Sequence, residues 1–322
     1  MGRRQAGGEH RLSIAYLFPG QGAQTAGFLH RLPEHPAVDA TLEEAASVLD
    51  LDVGTLDTSS ALASTIAVQL STLIAGVAVT RALGHEGVRA DAAAGLSVGA
   101  FGAAVTCGAL AFADALALVR LRGECMEKAC PHGYGMAAIV GLDERQVSGI
   151  VEQVGGAGAQ LYIANVNAPT QIIVSGTDRA LEAALESARQ SGARQAARLA
   201  VSVPSHCPLL DPVAQRLAAA LLPIELQVPK LPYVSNRRAR VVCDAEGVRE
   251  DLINNVAHTV RWYDSVTALY ELGVRLFIEL PPGQVLSRLV QQEFPEARAV
   301  PVEGAQLPSI VLLAQRDRHP AA

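Results

Sequence analysis

The stretch Ala90–Val105, ADAAAGLSVGAFGAAV, decides how the chain is read. Ala90–Leu96 reads as a short buried strand, and Gly99–Val105 begins a helix built of small residues. Between them stands Gly95-Leu96-Ser97-Val98-Gly99. G-x-S-x-G at a strand-to-helix turn is the pattern of a nucleophile elbow, which holds a serine hydroxyl out of the fold. The flanking glycines give the turn room, and the helix offers an N-terminal dipole with free N–H groups. Small residues also pack helices against sheets, so Ser97 needs partners before it is a nucleophile.

Working outward, Ser13–Phe18 (SIAYLF) is a buried strand that enters a loop at Pro19-Gly20. Helical patterns cover Val38–Leu49, Ala61–Leu83 and Phe112–Cys130. Alternating buried strands and helices imply a parallel sheet covered on both faces. The character changes near Pro131-His132-Gly133. From there to Ser202 the order is strand (GMAAIVG), helix, strand (AQLYIANV), strand (TQIIVSG), helix and strand (ARQAARLAVS). That β-α-β-β-α-β order is ferredoxin-like. After Pro204, helices and buried strands such as Val274–Leu280 return. The expected fold class is therefore α/β, a large domain formed by residues 1–133 and 203–322 with a ferredoxin-like domain, 134–202, inserted in it.

Composition narrows the function. With 322 residues, 50% hydrophobic and 18% charged, the chain can bury a large core. A net charge of −6 and a single Trp speak against a nucleic-acid partner. MGRRQAGGEH has basic residues but no apolar segment behind them, and reads as a loose tail rather than a signal peptide. The apolar run Ile66–Val79 is interrupted by Gln69, Ser71, Thr72 and Gly76; it is too short for a membrane span and suits a buried helix. Five cysteines without C-x-x-C or zinc spacing read as small apolar residues in a reducing cytoplasm, with no metal site.

A serine needs a base, and the chain has eight histidines. His10, His30, His35, His85, His132 and His319 lie in polar loops or tails, which suits solvated side chains. His206 in VSVPSHCPLL stands where the chain leaves the inserted domain, beside the expected cleft. His258 follows Asp251 closely, and both fit a helix end. No late Asp…His pair of the α/β-hydrolase kind stands out. A Ser–His dyad with the imidazole oriented by a backbone carbonyl fits better. Arg122, in LVRLRGECM, lies on a mostly apolar helix, whereas Arg120 points to another face and suits solvent. A buried guanidinium matches a carboxylate with two parallel hydrogen bonds, either from a structural acid or from an acyl chain that carries one. Phe18–Gly22, FPGQG, lacks the spacing of a phosphate loop, but its glycines let a backbone N–H approach a ligand as an oxyanion hole requires.

FPGQG, GLSVG, LRGECM and VSVPSH occur in this order, joined by ANVNAPTQIIVSG (164–176), VRW (260–262) and ELPPGQVLSRL. Across essentially its whole length the chain resembles the malonyl-CoA:acyl-carrier-protein transacylases, whose fold is an α/β-hydrolase-like domain with a ferredoxin-like insertion. The resemblance implies that Ser97 is acylated by malonyl-CoA and that His206 is general base, then general acid. It further implies that Arg122 clamps the malonyl carboxylate in a pocket with Gln21, Leu96 and Ser205. Backbone N–H groups of Gln21 and Val98 would hold the oxyanion, and the carbonyl of Asn255 would orient His206. No cofactor is expected to stay bound: malonyl-CoA is substrate and the prosthetic thiol of a carrier protein is acceptor.

Two departures stand out. The family usually has G-H-S-x-G, and Leu96 replaces that histidine. GLSVGA, GYGMAAIVGLD and VSVPSHCPLL look more like the malonyltransferase (epsilon) subunit of bacterial malonate decarboxylase, which implies the decarboxylase's own carrier and its other subunits as partners. Ser205 also stands where malonyl-selective members often carry Phe, leaving room for an α-substituted acyl group. Arg194, Arg198, Arg237, Arg238 and Arg240 are candidates for docking an acidic carrier. The competing readings are a malonyltransferase of fatty-acid or polyketide synthesis, a serine hydrolase, and a non-catalytic acyl-CoA-binding scaffold.

Overall fold

A computed structural model describes residues 12–318 apart from 131 and 157. The N-terminal tail, His10, Pro131 and His319 lie outside the described residues. The chain runs through β1 (Ile14–Phe18), α1 (Pro36–Leu49), α2 (Thr65–His85), β2 (Ala92–Gly95), α3 (Gly99–Thr106) and α4 (Phe112–Ala129). Next come β3 (Tyr134–Val140), α5 (Glu144–Gly155), β4 (Leu161–Ala168), β5 (Gln171–Thr177), α6 (Asp178–Gln190) and β6 (Gln195–Arg198). The rest is α7 (Asp211–Leu221), β7 (Tyr233–Val234), β8 (Val241–Val242), α8 (Ala245–Asn254), α9 (Trp262–Glu271), β9 (Leu276–Glu279), α10 (Val285–Glu293), β10 (Arg298–Pro301) and α11 (Leu307–Arg318).

Two sheets organise these elements. The larger has the order β10-β9-β1-β2-β7-β8, parallel throughout except for the β7–β8 pair at one edge. IAYLF in β1 is buried at every position, as a central parallel strand covered on both faces must be. The four-stranded antiparallel sheet, order β4-β5-β3-β6, carries α5 and α6 on one face. Together they make the α/β fold with a ferredoxin-like unit that the patterning implies. The sheets meet where Val260 donates to the Ala164 carbonyl and accepts from the Val166 amide, both at 2.9 Å.

Several local expectations change. The last strand of the small sheet ends at Arg198, because after Leu199 bonds to the Met136 carbonyl the chain turns away towards Pro204. Helix α2 is longer than the apolar run that announced it. At 21 residues it is long and apolar enough to cross a membrane, yet most of it is buried inside the protein. His35 is not a solvated side chain: its Nδ1 accepts from the Ala37 amide at 3.0 Å and caps α1. Cys107, Cys130 and Cys207 are buried as expected, but Cys243 is exposed.

The register places the functional loops together. Phe18 pairs with Gly95, and Leu17 with Glu279, so β1, β2 and β9 end at one edge of the sheet. FPGQG, the Ser97 turn and the Ser235-Asn236 turn after β7 all leave from this carboxyl edge. In open parallel sheets this is where ligands bind.

Candidate active site

Ser97 sits at φ 58°, a left-handed conformation uncommon for a residue with a side chain. Such backbone costs on the order of 1–3 kcal/mol and persists only where its surroundings enforce it. Here the residues on either side of Ser97 are packed closely between α3 and the sheet. A Cβ on Gly95 would lie 2.1 Å from the Gly99 carbonyl carbon, and one on Gly99 only 2.2 Å from the Phe18 oxygen. Both positions therefore have to be glycine, and the turn between them projects the Ser97 hydroxyl.

His206 comes to that hydroxyl from the chain re-entering the large sheet. Its amide donates to the Val256 carbonyl at 2.8 Å, with φ 63°. In the ring, Nδ1–H donates to the Asn255 carbonyl at 2.5 Å. A carbonyl only accepts, which fixes the tautomer and leaves Nε2 bare to accept from the Ser97 hydroxyl at 2.9 Å. Burial, and secondly the positive charge of Arg122, push the imidazole from 6.5 down to about 3. The neutral base is thus available throughout the physiological range.

That depression carries a stability prediction. Between pH 6.5 and about 3 the unfolded chain binds a proton at this histidine that the folded protein refuses. The contribution is complete above 6.5 and lost as pH falls. Urea unfolding across this window should show His206→Ala with a shallower acid loss than wild type; equal slopes would remove His206 as a cause.

Arg122 projects from α4 and is fully buried, at 0% exposure. Nη1 donates to Gln69 Oε1 at 2.8 Å and Nη2 to Ser97 Oγ at 3.1 Å, while Nε has no partner among the described residues. Among those residues no carboxylate lies within ion-pairing distance of it, so the structural salt bridge that its sequence position also allowed is absent. Burial pulls the guanidinium down to about 9, which still leaves it charged at neutral pH. Arg120, by contrast, is half-exposed and pairs with Glu124 at 3.6 Å.

Gln69 belongs to the site although the sequence does not announce it. Its Nε2 donates to Gln21 Oε1 at 2.8 Å, making a continuous path Gln21–Gln69–Arg122–Ser97–His206–Asn255. The available signal is an amide inside the apolar run Ile66–Val79, where it reads only as an interruption; in the fold it is fully buried. Asn236 is equally silent in the sequence: its Oδ1 accepts from the Ser97 amide at 2.9 Å. Leu96 packs over the FPGQG loop, its Cδ2 lying 2.7 Å from where a Gly20 Cβ would sit. Within the described residues neither the Gln21 nor the Val98 amide donates to another protein atom. Ser205 is buried beside His206 but makes no hydrogen bond to the Ser97 cluster among those residues. His258 bonds through its ring to the Asn254 carbonyl at 3.0 Å, near a helix end, and makes no side-chain hydrogen bond to Ser97 among the described residues.

The arrangement supplies a hydroxyl, a neutral base beside it, and a buried cation without an anion. Such a set serves acyl transfer from a donor that carries a carboxylate. Comparison with known proteins agrees. The acyl transferase domain family matches residues 15–319. The malonyl CoA-acyl carrier protein transacylase of Escherichia coli (strain K12) is 36% identical over 285 residues, 87% of this chain and 92% of that protein. The protein of the same name from Bacillus subtilis (strain 168) is 34% identical over 284 residues, 87% and 90% of the two chains. Among solved structures, the Coxiella burnetii malonyl CoA-acyl carrier protein transacylase superposes with a TM-score of 0.91 at 34% identity, covering 96% of this chain and 99% of that one. A malonyl-transacylase solved in complex with a type II PKS acyl-carrier protein gives 0.88 at 34% identity, covering 94% and 98%. The chain belongs to the acyl transferase family and is an acyltransferase of the malonyl-CoA:acyl-carrier-protein transacylase kind.

Proposed function

We propose that the protein moves a malonyl group from malonyl-CoA, through an ester on Ser97, to the prosthetic thiol of an acyl carrier protein. The observation that carries this reading is Arg122, a fully buried guanidinium with no acidic partner among the described residues, one hydrogen bond from Ser97. An uncompensated buried cation is costly, and a malonyl carboxylate would neutralise it.

The steps follow from the tautomer of His206. Nε2 takes the Ser97 proton as Oγ attacks the thioester carbonyl, and the Gln21 and Val98 amides donate to the developing oxyanion. Collapse breaks the C–S bond, and the imidazolium returns the proton to the departing CoA thiolate. The carrier thiol then gives its proton to Nε2 and attacks the ester; Ser97 leaves with that proton. The Asn255 carbonyl holds Nδ1–H throughout, the role a carboxylate fills in a triad. Nothing in this sequence of steps requires a resident cofactor.

Which carrier is served is the finer part of the proposal. The likeness of GLSVGA and VSVPSHCPLL, with Leu96 before the serine, favours the carrier and other subunits of malonate decarboxylase. The relatives' names and the complex with a type II PKS carrier favour fatty-acid or polyketide synthesis. Transfer rates to the two kinds of carrier, measured side by side, separate them. Five free thiols suit a cytoplasmic setting. Ser205 supports room for an α-substituent, tested by methylmalonyl-CoA as donor.

For docking, Arg198 and Arg238 are already paired, with Asp178 at 2.6 Å and Glu250 at 2.5 Å. Arg237 and Arg240 are exposed and enter no ion pair among the described residues. Reversing both to Glu should raise KM for carrier protein about tenfold and leave KM for malonyl-CoA unchanged, because rim charges govern encounter. Equal effects on both substrates would rule the patch out.

A further inference from the structure

Asp251 is a buried carboxylate that the acyl-transfer steps leave without a task. It does not reach His206, whose Nδ1 is taken by the Asn255 carbonyl. Its oxygens instead accept from the Tyr233 hydroxyl (2.6 Å), the Asn236 amide (2.8 Å), Asn236 Nδ2 (3.2 Å) and the Arg237 amide (3.4 Å). Asn236 in turn presents Oδ1 to the Ser97 amide at 2.9 Å.

The two ends of an asparagine amide are not equivalent. If Nδ2 faced Ser97, a donor would meet a donor. Asp251 prevents this, since an acceptor-only carboxylate holds Nδ2 on its own side and so turns Oδ1 towards the elbow. The Ser97 amide belongs to a residue at φ 58°, a conformation that must be held from outside. The next peptide unit carries the Val98 N–H. Asp251 also lies in the last turn of α8, where the Asn255 amide donates to its main-chain carbonyl and the Asn255 carbonyl meets His206.

We infer that Asp251 and Asn236 are positioning residues for the nucleophile, the carboxylate fixing the Asn236 amide and that amide fixing the backbone of Ser97. The acid of a hydrolase triad is thereby moved from the imidazole to the serine's own turn. This inference rests on Ser97 being the acyl-transfer nucleophile.

The test is a charge-and-amide swap read on Ser97 itself. Asp251→Asn and Asn236→Asp each break the donor–acceptor match, whereas the double variant Asn236→Asp/Asp251→Asn restores it. In the double variant the carboxylate at position 236 accepts from the Ser97 amide and from the side-chain amide now at position 251. Two probes are used on full-length protein of verified fold: malonyl-CoA, and a fluorophosphonate, which needs an activated serine but no malonyl recognition. Each single variant should slow acylation by both probes about tenfold to a hundredfold with KM for malonyl-CoA unchanged, and the double variant should recover most of that loss. Should the single variants not fold, Tyr233→Phe removes one donor to Asp251 and is expected to slow acylation about threefold to tenfold. Singles, or Tyr233→Phe, that acylate at the wild-type rate overturn the inference, as does a double variant no better than the singles. Fluorophosphonate labelling of wild-type Ser97 without malonyl transfer would instead overturn the transferase reading and leave the positioning test standing.

Discussion

Replacing Ser97 by alanine lowers malonyl transfer by on the order of a thousandfold or more while malonyl-CoA still binds. The hydroxyl is the only group in the cluster able to form the ester, and Ser97 is buried. Its removal frees the Arg122 Nη2 and His206 Nε2 positions that it now occupies. The donor carboxylate meets a guanidinium with one fewer competing partner, so affinity should hold or improve. Stopped-flow transfer rates and calorimetric binding on the same preparation check both halves. Intact transfer in the alanine variant would mean that another group is the nucleophile; lost binding would mean that Ser97 shapes the pocket rather than reacting.

Arg122→Ala shows its loss as selectivity. With malonyl-CoA, kcat/KM should fall about a hundredfold or more, the scale for removing one partner of a buried charge pair. With acetyl-CoA, which has no carboxylate to lose, the change should be small, so discrimination between the two donors collapses. Lysine should not rescue it, because an ammonium cannot reach Gln69 Oε1 and a carboxylate with the fork geometry that Arg122 provides. Competition between the two thioesters measures the ratio directly. A parallel fall for both donors would assign Arg122 to the architecture of Ser97 and not to recognition of malonyl.

How far these roles are legible in the sequence depends on how local they are. IAYLF and AAAGLSVG announce buried strands and a turn because burial on both faces and close backbone approach leave few residue types possible. The β-α-β-β-α-β unit is readable from periodicity, although β6 ends earlier than its apolar pattern suggests. Ser97, His206 and Arg122 stand out as chemically unusual residues in apolar surroundings. Gln69 and Asn236 do not, since an amide is unremarkable until its partners are known. Those partners lie 53 and 139 residues away, at Arg122 and Ser97. His35 shows the opposite error: a polar neighbourhood in sequence suggests solvent, yet the ring caps a helix.

The most direct test of the account is intact-protein mass spectrometry after brief mixing with malonyl-CoA, followed by peptide mapping. One malonyl group per chain on the peptide containing Ser97, absent in Ser97→Ala and discharged on adding holo carrier protein, is the predicted result. A folded wild-type protein that stays unmodified, or that carries the group on another residue, would contradict it.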